Sequence, residues 1–334
     1  MRKILLEEFG GPEVLHVGEH PEPACPANGW VVEIKAASLN FADVVSRRGL
    51  YERNQQLPYE VGKEAAGVVV EKGPDAPGRS EGGHELGDRV VVIRFAGGCY
   101  AERVAAEPGM LLAGPAGYDF DELAAFGIVF ATAWYAQNEL ARLRPGESVL
   151  VQAAAGGVGS AAVALARSSG AGPIVGTAGG PEKCAWVEQL GADACVDRRA
   201  ADFRETVREL TAGRGVDYCL ESVGGEVFER SYEVLAELGR LVIIGFSAID
   251  SDYKNRVKGV HPLKLFLGSR ALMGLNVQNL DFPRRTDVWN CLVAHLEQHD
   301  LRPQIGARFP LEEAPAAHAL LESGASRGKV LLVP

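Results

Sequence analysis

Val149-Leu150-Val151-Gln152-Ala153-Ala154-Ala155-Gly156-Gly157-Val158-Gly159-Ser160 is the stretch that decides the fold. An apolar run too short for a buried helix enters a glycine turn, and an alanine-rich segment continues from there to Gly170. That order reads as strand, turn and helix, the opening of a dinucleotide-binding unit. Gly156 would let the backbone approach a pyrophosphate, and Gly159 would let the helix pack on the strand. The helix's unpaired N–H groups and positive end would then receive the phosphates. The first glycine of G-x-G-x-x-G is replaced by Ala154, so the turn alone is a weak signal, and a plain strand-to-helix corner is the alternative. Its surroundings favour the first reading. Arg144-Pro145-Gly146-Glu147 makes a turn before the strand, and Gly170-Ala171-Gly172-Pro173 ends the helix ahead of a second short strand, Ile174 to Thr177.

Outward from this stretch, strands and helices alternate between about residues 121 and 268, with further strands at Ala194–Val196, Tyr218–Glu221 and Leu241–Gly245. Alternation of this kind predicts a parallel sheet with crossover helices. Residues 1 to about 120 read instead as short strands between Gly/Pro turns: Lys3–Glu7, Val31–Ala36, Ala65–Glu71, Arg89–Ile93 and Tyr100–Val104. After Leu272-Met273-Gly274 one long helical segment, Pro283 to His299, precedes a closing apolar strand, Lys329 to Val333.

The 334 residues suffice for two domains with a core each. A net charge of −10, with no lysine or arginine run, argues against a nucleic-acid partner. No apolar run approaches the roughly 20 residues that span a bilayer, and Met1-Arg2-Lys3-Ile4 does not open a secretory signal, so a cytoplasmic protein without membrane insertion is expected. The six cysteines contain no C-x-x-C pair, as suits reduced structural thiols.

Several stretches together resemble one family. They are Ser38-Leu39-Asn40-Phe41-Ala42-Asp43, Gly62-Lys63-Glu64-Ala65-Ala66-Gly67, Gly87-Asp88-Arg89-Val90, Thr132-Ala133-Trp134-Tyr135, the Ala-Ala-Ala-Gly-Gly-Val-Gly turn and the closing Gly328-Lys329-Val330-Leu331-Leu332-Val333-Pro334. In order and spacing they are similar, from end to end, to the medium-chain dehydrogenase/reductase superfamily. Within it the chain resembles the zinc-free quinone oxidoreductase branch, and Ser247 to Gly274 looks most like the subgroup of the synaptic vesicle amine transport homologue. The resemblance implies an α/β protein: a GroES-like β-barrel catalytic domain plus a Rossmann doubly wound nucleotide-binding domain. The expected boundaries are 1–122 for the first part of the catalytic domain, 123–268 for the NADP-binding domain and 269–334 for the return to the catalytic domain.

Zinc members of this superfamily hold catalytic metal at three places that Asn40, Lys63 and Ile128 occupy here. An amide, an ammonium and a branched alkyl group make no tetrahedral zinc site, so no metal is expected. Gly83-His84-Glu85 repeats the Gly-His-Glu letters, but in a polar loop, where a plain loop histidine is the simpler reading. Without a Lewis acid, a conjugated acceptor is easier to reduce than a simple carbonyl, because charge from hydride addition passes through the π-system to an oxygen that a donor can neutralise. Asn40 is the candidate donor, with Tyr51 and Lys63 as further catalytic candidates. Tyr51 also reads as a pocket wall, and Lys63 as a solvated or salt-bridged cation. Val45 stands where the family's quinone reductases often have Tyr, which implies a more apolar pocket; the pocket's shape is expected to depend on Asn40, Val45, Tyr51, Tyr100 and the loop from Asp250 to Leu267.

The second strand ends Val175-Gly176-Thr177-Ala178-Gly179-Gly180 without the carboxylate that binds a ribose 2′-hydroxyl in NAD sites. Lys183 stands where the family's NADPH enzymes place a phosphate-binding lysine, and Arg198 where they commonly have Tyr; a guanidinium there would pair with phosphate. NADPH is therefore expected over NADH. Gly324 stands where the family has a phosphate-binding Arg, with Arg327 or Lys329 as possible compensation. The resemblance further implies cofactor contacts from Thr132, Ala155, Gly156, Gly157, Val158, Gly159, Thr177, Ser222, Gly224, Gly245, Phe246 and Asn276. Three readings stay open: an NADPH-dependent oxidoreductase acting on a quinone or α,β-unsaturated carbonyl, an enoyl-thioester reductase, and a cofactor-binding interaction protein with little turnover. A homodimer through the sheet edge near Leu265 to Asn276 is also expected.

Overall fold

The computed structural model describes residues 1–51, 56–248, 260–280 and 286–334. Its strands are β1 Arg2–Leu6, β2 Val17–Glu19, β3 Trp30–Ser38, β4 Tyr59–Glu60, β5 Glu64–Lys72, β6 Arg89–Ile93, β7 Arg103–Ala106, β8 Leu111–Leu112, β9 Val149–Val151, β10 Ile174–Ala178, β11 Ala194–Asp197, β12 Val216–Glu221, β13 Leu235–Ile243, β14 Ala271–Gly274, β15 Ile305–Pro310 and β16 Lys329–Val333. The α-helices used below are α1 Phe41–Arg47, α2 Phe120–Trp134, α3 Gly157–Ser168, α4 Pro181–Gln189, α5 Phe203–Leu210, α6 Gly225–Glu233, α7 Pro262–Gly268, α8 Thr286–Gln298 and α9 Ala314–Glu322. Residue contacts divide the chain into two units, Met1–Ile128 with Asp281–Pro334, and Val129–Leu280.

The first unit is built on β pairing. A seven-stranded sheet runs β15-β16-β3-β5-β6-β8, with β7 also paired to β3, beside a three-stranded sheet β2-β1-β4. Apolar residues alternate inward along β3, and Trp30, Val32 and Ile34 join Val69, Val90, Val92 and Leu332 in the core. The antiparallel contact of β16 with β3 brings Leu331 opposite Ser38, and β3 in turn places Ser38 opposite Glu64 of β5. The C-terminal strand thus completes a sheet begun at the N-terminal end, in line with the two-part β domain expected.

In the second unit six strands, all parallel, lie in the order β11-β10-β9-β12-β13-β14. This is the doubly wound arrangement, in which the chain leaves β9 in one direction and returns to β12 on its other side. Leu150, Val175, Cys219 and Leu241 are buried at its centre, as expected for strands covered on both faces.

Several boundaries differ from the sequence reading. Residues 269–280, expected to return to the β domain, belong to the second unit instead, where Ala271–Gly274 form β14 and continue the parallel sheet beside β13. β13 begins at Leu235 rather than Leu241, and its pairing with β12 shifts register between Val216 and Tyr218, near a left-handed Leu238. The strand expected at Tyr100–Val104 lies at Arg103–Ala106, since Tyr100 and Ala101 are drawn to β1 by the Ile4 N–H to Tyr100 O bond and the Lys3–Ala101 bridge. Residues 283–285 of the expected Pro283–His299 helix, and 250–259 of the loop expected to shape the pocket, lie outside the described residues.

The glycine turn explains how β9 meets α3. A Cβ at Gly159 would stand 2.3 Å from the Ala153 carbonyl oxygen and 2.7 Å from Ala154 Cα, closer than real atoms approach. Substituting Gly159→Ala is therefore expected to lower the unfolding free energy by about 1–3 kcal/mol, read from urea denaturation; an unchanged midpoint would contradict this packing.

Candidate functional site

The β unit gathers charged side chains where a metal would otherwise be sought. Asn40 is the N-cap of α1, and its backbone N–H is bonded to Asp43 Oδ2 at 2.8 Å, a reciprocal cap that fixes the main chain here. Its side chain is 9% exposed, with Oδ1 2.8 Å from Lys329 Nζ and Nδ2 3.5 Å from Glu64 Oε2. Glu64 has no exposure at all; Oε2 accepts from Ser38 Oγ at 2.8 Å and from Lys329 at 3.3 Å, and Oε1 accepts from the Ile128 N–H at 2.6 Å.

Lys63, next in the chain to Glu64, is equally buried and points elsewhere. Its ammonium donates to the Phe95 carbonyl at 2.8 Å and to the Tyr59 hydroxyl at 3.1 Å, and lies 5.2 Å from the Tyr51 ring centre and 5.8 Å from that of Tyr59. No carboxylate among the described residues lies within ion-pair distance of it. Among the described residues this buried ammonium is hydrogen-bonded only to neutral oxygens and faces aromatic rings, while its charge acts on the nearby Asp43 carboxyl. Tyr59 was missed in the sequence, where it reads as one of several residues before Gly62; only folding reveals it as Lys63's partner.

Burial pushes the Asp43 carboxyl up to about 6, against the opposing pull of Lys63, the Asn40 N–H and Lys329. Tyr100, buried against it, donates to Asp43 Oδ2 at 3.4 Å. His84 packs edge-on against Trp30, whose indole N–H is bonded to the His84 carbonyl, so it is a supporting loop residue. Among the described residues no three His, Cys, Asp or Glu side chains are grouped as a metal ion requires. With the Lys329 ammonium bonded to Asn40 and Glu64, and the Lys63 ammonium directed to Phe95 and Tyr59, this donor set does not fit zinc.

The second unit carries the glycine turn. Two residues beyond the end of β9 stands a left-handed Ala153 (φ 49°), so the sharp turn falls one residue before the missing glycine at Ala154. Ala153 is held by its N–H to Thr177 Oγ1 at 3.2 Å, and Thr177 Oγ1 donates to Gln152 Oε1 at 2.6 Å. Thr177 is buried with its hydroxyl committed, and braces the turn from beneath. α3 starts with Gly156 as a cap that has no side-chain hydrogen bond, so the first-turn N–H groups at Gly157, Val158 and Gly159 are left for an anion. A Cβ at Gly156 would have no neighbour closer than the Ala153 oxygen at 3.3 Å. Open space over uncapped N–H groups fits a pyrophosphate.

At the end of β11, Asp197 accepts from the Gly180 N–H at 2.9 Å and the Arg199 N–H at 3.0 Å, tying β11 to the start of α4. Arg198 is exposed, and the Arg199 guanidinium lies over Gly179, about where a Cβ would meet it at 3.4 Å. Lys183 is partly buried on α4. Arg199, adjacent to the expected Arg198, is a cation the sequence reading passed over. Ser222 and Gly245 are partly buried; the Ser222 carbonyl accepts from Ser247 N–H at 2.8 Å, and Phe246 packs at Gly224. Thr132 is buried on α2 and Asn276 is exposed, accepting from the Gln278 N–H. Ala155 is buried beside the turn.

Lys329 is the correction. Expected as a phosphate contact, it is 3% exposed inside the β unit, with its ammonium engaged by Asn40 and Glu64. The register of β16 against β3 carries it there.

A family model described as "Zinc-binding dehydrogenase" matches residues 157–297, and one described as "Alcohol dehydrogenase GroES-like domain" matches residues 26–145. The chain is 31% identical over 348 residues to the synaptic vesicle membrane protein VAT-1 homolog of Mus musculus, covering 100% of this chain and 84% of that one. It is 29% identical over 335 residues to the quinone oxidoreductase of Rattus norvegicus, covering 100% and 98%. The crystal structure of Escherichia coli quinone oxidoreductase complexed with NADPH superposes with a TM-score of 0.89 at 31% identity, covering 100% of both chains.

The Asp43 carboxyl yields a pH prediction. Its folded value, about 6, is raised above the ordinary 3.8, so the folded state holds the proton more tightly and stability falls as pH rises through that interval. Asp43→Asn removes this slope. The stability of the variant relative to the parent is expected to increase by about 2–3 kcal/mol between pH 4 and pH 7, measured by denaturation at each pH. A difference that stays flat would contradict the assignment.

Proposed function

The chain belongs to the medium-chain dehydrogenase/reductase superfamily, in its branch of quinone oxidoreductases and VAT-1 homologues, and from that premise we propose an NADPH-dependent oxidoreductase that reduces a quinone or α,β-unsaturated carbonyl without zinc. The observation that carries the reading is Lys63: a buried ammonium without a carboxylate partner among the described residues, at a place where zinc relatives have a metal ligand.

NADPH, when bound, supplies hydride to the substrate carbon. The remaining work belongs to the protein. The first turn of α3 would hold the pyrophosphate through its uncapped N–H groups, and Lys183, Arg198 and Arg199 would pair with the 2′-phosphate. Asn40 donates an amide N–H to the carbonyl oxygen on which charge accumulates, and the Lys63 ammonium stabilises that charge from a site of low dielectric. Tyr51 and Tyr59 flank the ammonium and limit water around it. A neutral donor and a fixed cation suffice for an enone or quinone, whose π-system delivers the negative charge to the oxygen.

Support for NADPH over NADH comes from the cations beside Gly179 and Gly180 and from the NADPH bound in the similar E. coli enzyme. A homodimer through β14 belongs to the same reading: among the described residues β14 is paired on one side only, and Leu263, Phe266 and Leu267 of α7 just before it in the chain are 55%, 77% and 73% exposed. A cytoplasmic setting agrees with six free cysteines and with the absence, among the described residues, of a helix long and apolar enough to cross a membrane.

Two tests follow. The double substitution K183M/R199A is expected to weaken NADPH binding by about 10–100-fold, the value of lost charge-assisted hydrogen bonds, with NADH binding unchanged in fluorescence titration; equal losses for both would remove the phosphate assignment, and no NADPH-dependent turnover across a panel of quinones and enones would remove the activity. For assembly, the parent should elute as a dimer in gel filtration and F266D/L267D as a monomer, whereas a monomeric parent would end the dimer proposal.

A further inference from the structure

We propose that Lys329 is the positioning residue for Asn40, holding its amide so that the NH2 group rather than the carbonyl oxygen is offered to substrate. This rests on the reading of Asn40 as donor to the substrate oxygen. An asparagine amide is nearly symmetric in shape, so its useful orientation has to be imposed by its partners. The reciprocal cap with Asp43 fixes only the main chain. Lys329 fixes the rest. An ammonium carries three donors and no acceptor, and its Nζ lies 2.8 Å from Asn40 Oδ1. Turned over, the amide would set its own hydrogens against that cation. Among the described residues, the sole contact of the correctly turned NH2 group is the long 3.5 Å approach to Glu64 Oε2, which leaves an N–H for a ligand.

The ammonium can impose this orientation because it is itself immobilised. Lys329 is 3% exposed and lies 3.3 Å from Glu64 Oε2. Glu64 is anchored in turn by Ser38 Oγ at 2.8 Å and the Ile128 N–H at 2.6 Å. Three strands carry the arrangement: Lys329 starts β16, Ser38 ends β3 and Glu64 starts β5, and their registers bring the three ends together. The consequence for catalysis is specific. If the amide turns over, its oxygen faces the developing negative charge, so transition-state stabilisation suffers while cofactor affinity does not.

The test compares the purified parent chain, K329M, K329R, N40A and N40A/K329M for NADPH and NADH affinity by fluorescence titration, and for kcat and KM with 1,4-naphthoquinone. K329M is expected to keep both nucleotide affinities within about twofold and to lose ~10–100-fold in kcat/KM, mainly in kcat, as a misplaced catalytic group does. K329R, which restores a cation with donors, should recover much of that loss. The decisive outcome is that N40A/K329M is no worse than N40A, because a general loosening of the fold would instead multiply the two losses. Should K329M fail to fold with Glu64 left as an unpaired buried charge, the same comparison is made in the E64Q background, which removes that charge. Two results overturn the inference alone: a K329M enzyme that loses NADPH affinity while NADH affinity stands, which makes Lys329 a phosphate ligand, and a double variant whose losses multiply. An N40A enzyme as active as the parent overturns the reading of Asn40 on which the inference stands, and is recognised without any Lys329 variant.

Discussion

A carboxylate sealed from solvent has to be answered from within the protein, and Glu64 is the point on which the β unit turns. Leaving such a charge unpaired costs several kcal/mol. The fold meets that demand with an ammonium, a hydroxyl and a backbone N–H drawn from β16, β3 and the interior of α2. The C-terminal strand therefore does more than close a sheet: it delivers the countercharge to a residue some 265 positions earlier in the chain. Asn40 and Lys63 both lie between Ser38 and Glu64 in sequence, one bonded into this arrangement and the other held apart by Phe95 and Tyr59.

The second unit solves a different problem, that of receiving a large anion without a dedicated cationic pocket at its pyrophosphate. Its answer is backbone. A left-handed Ala153 and an uncapped α3 expose N–H groups, and the buried pair Thr177 and Gln152 stiffens the turn so that those groups stay in place. Gln152 is further tied to Ser231 Oγ at 2.9 Å, which connects the turn to α6. A left-handed alanine is strained by about 1–2 kcal/mol, a cost met by the surrounding hydrogen bonds.

Much of this was legible in the letters because it is local. β6, β9 and β16 have the limits that their apolar runs suggest, and α3 begins at the glycine turn. The family resemblance, carried by motifs spread along the chain, supplied the two-part β domain that no local pattern shows. What stayed hidden depends on register. Lys329 reads as one more cation after a glycine, and only the pairing of β16 with β3 turns it inward to Asn40. Tyr59 owes its place to the pairing of β4 with β1, and Arg199 stands in the turn after β11; Leu235, which begins β13 earlier than its neighbours suggest, and Ala271–Gly274, which join the parallel sheet, depend on pairing as well. Which residues stand at the three zinc-ligand places was legible one by one, whereas the charge arrangement around them was not.

The central claim is that fixed ammonium and amide groups do here what zinc does in metal-dependent relatives. The most direct measurement is the metal content of the purified protein, taken together with its NADPH-dependent quinone reduction before and after dialysis against a strong chelator. The account predicts substoichiometric zinc and undiminished turnover after chelation. One zinc per chain, whose removal abolishes turnover and whose return restores it, would contradict it.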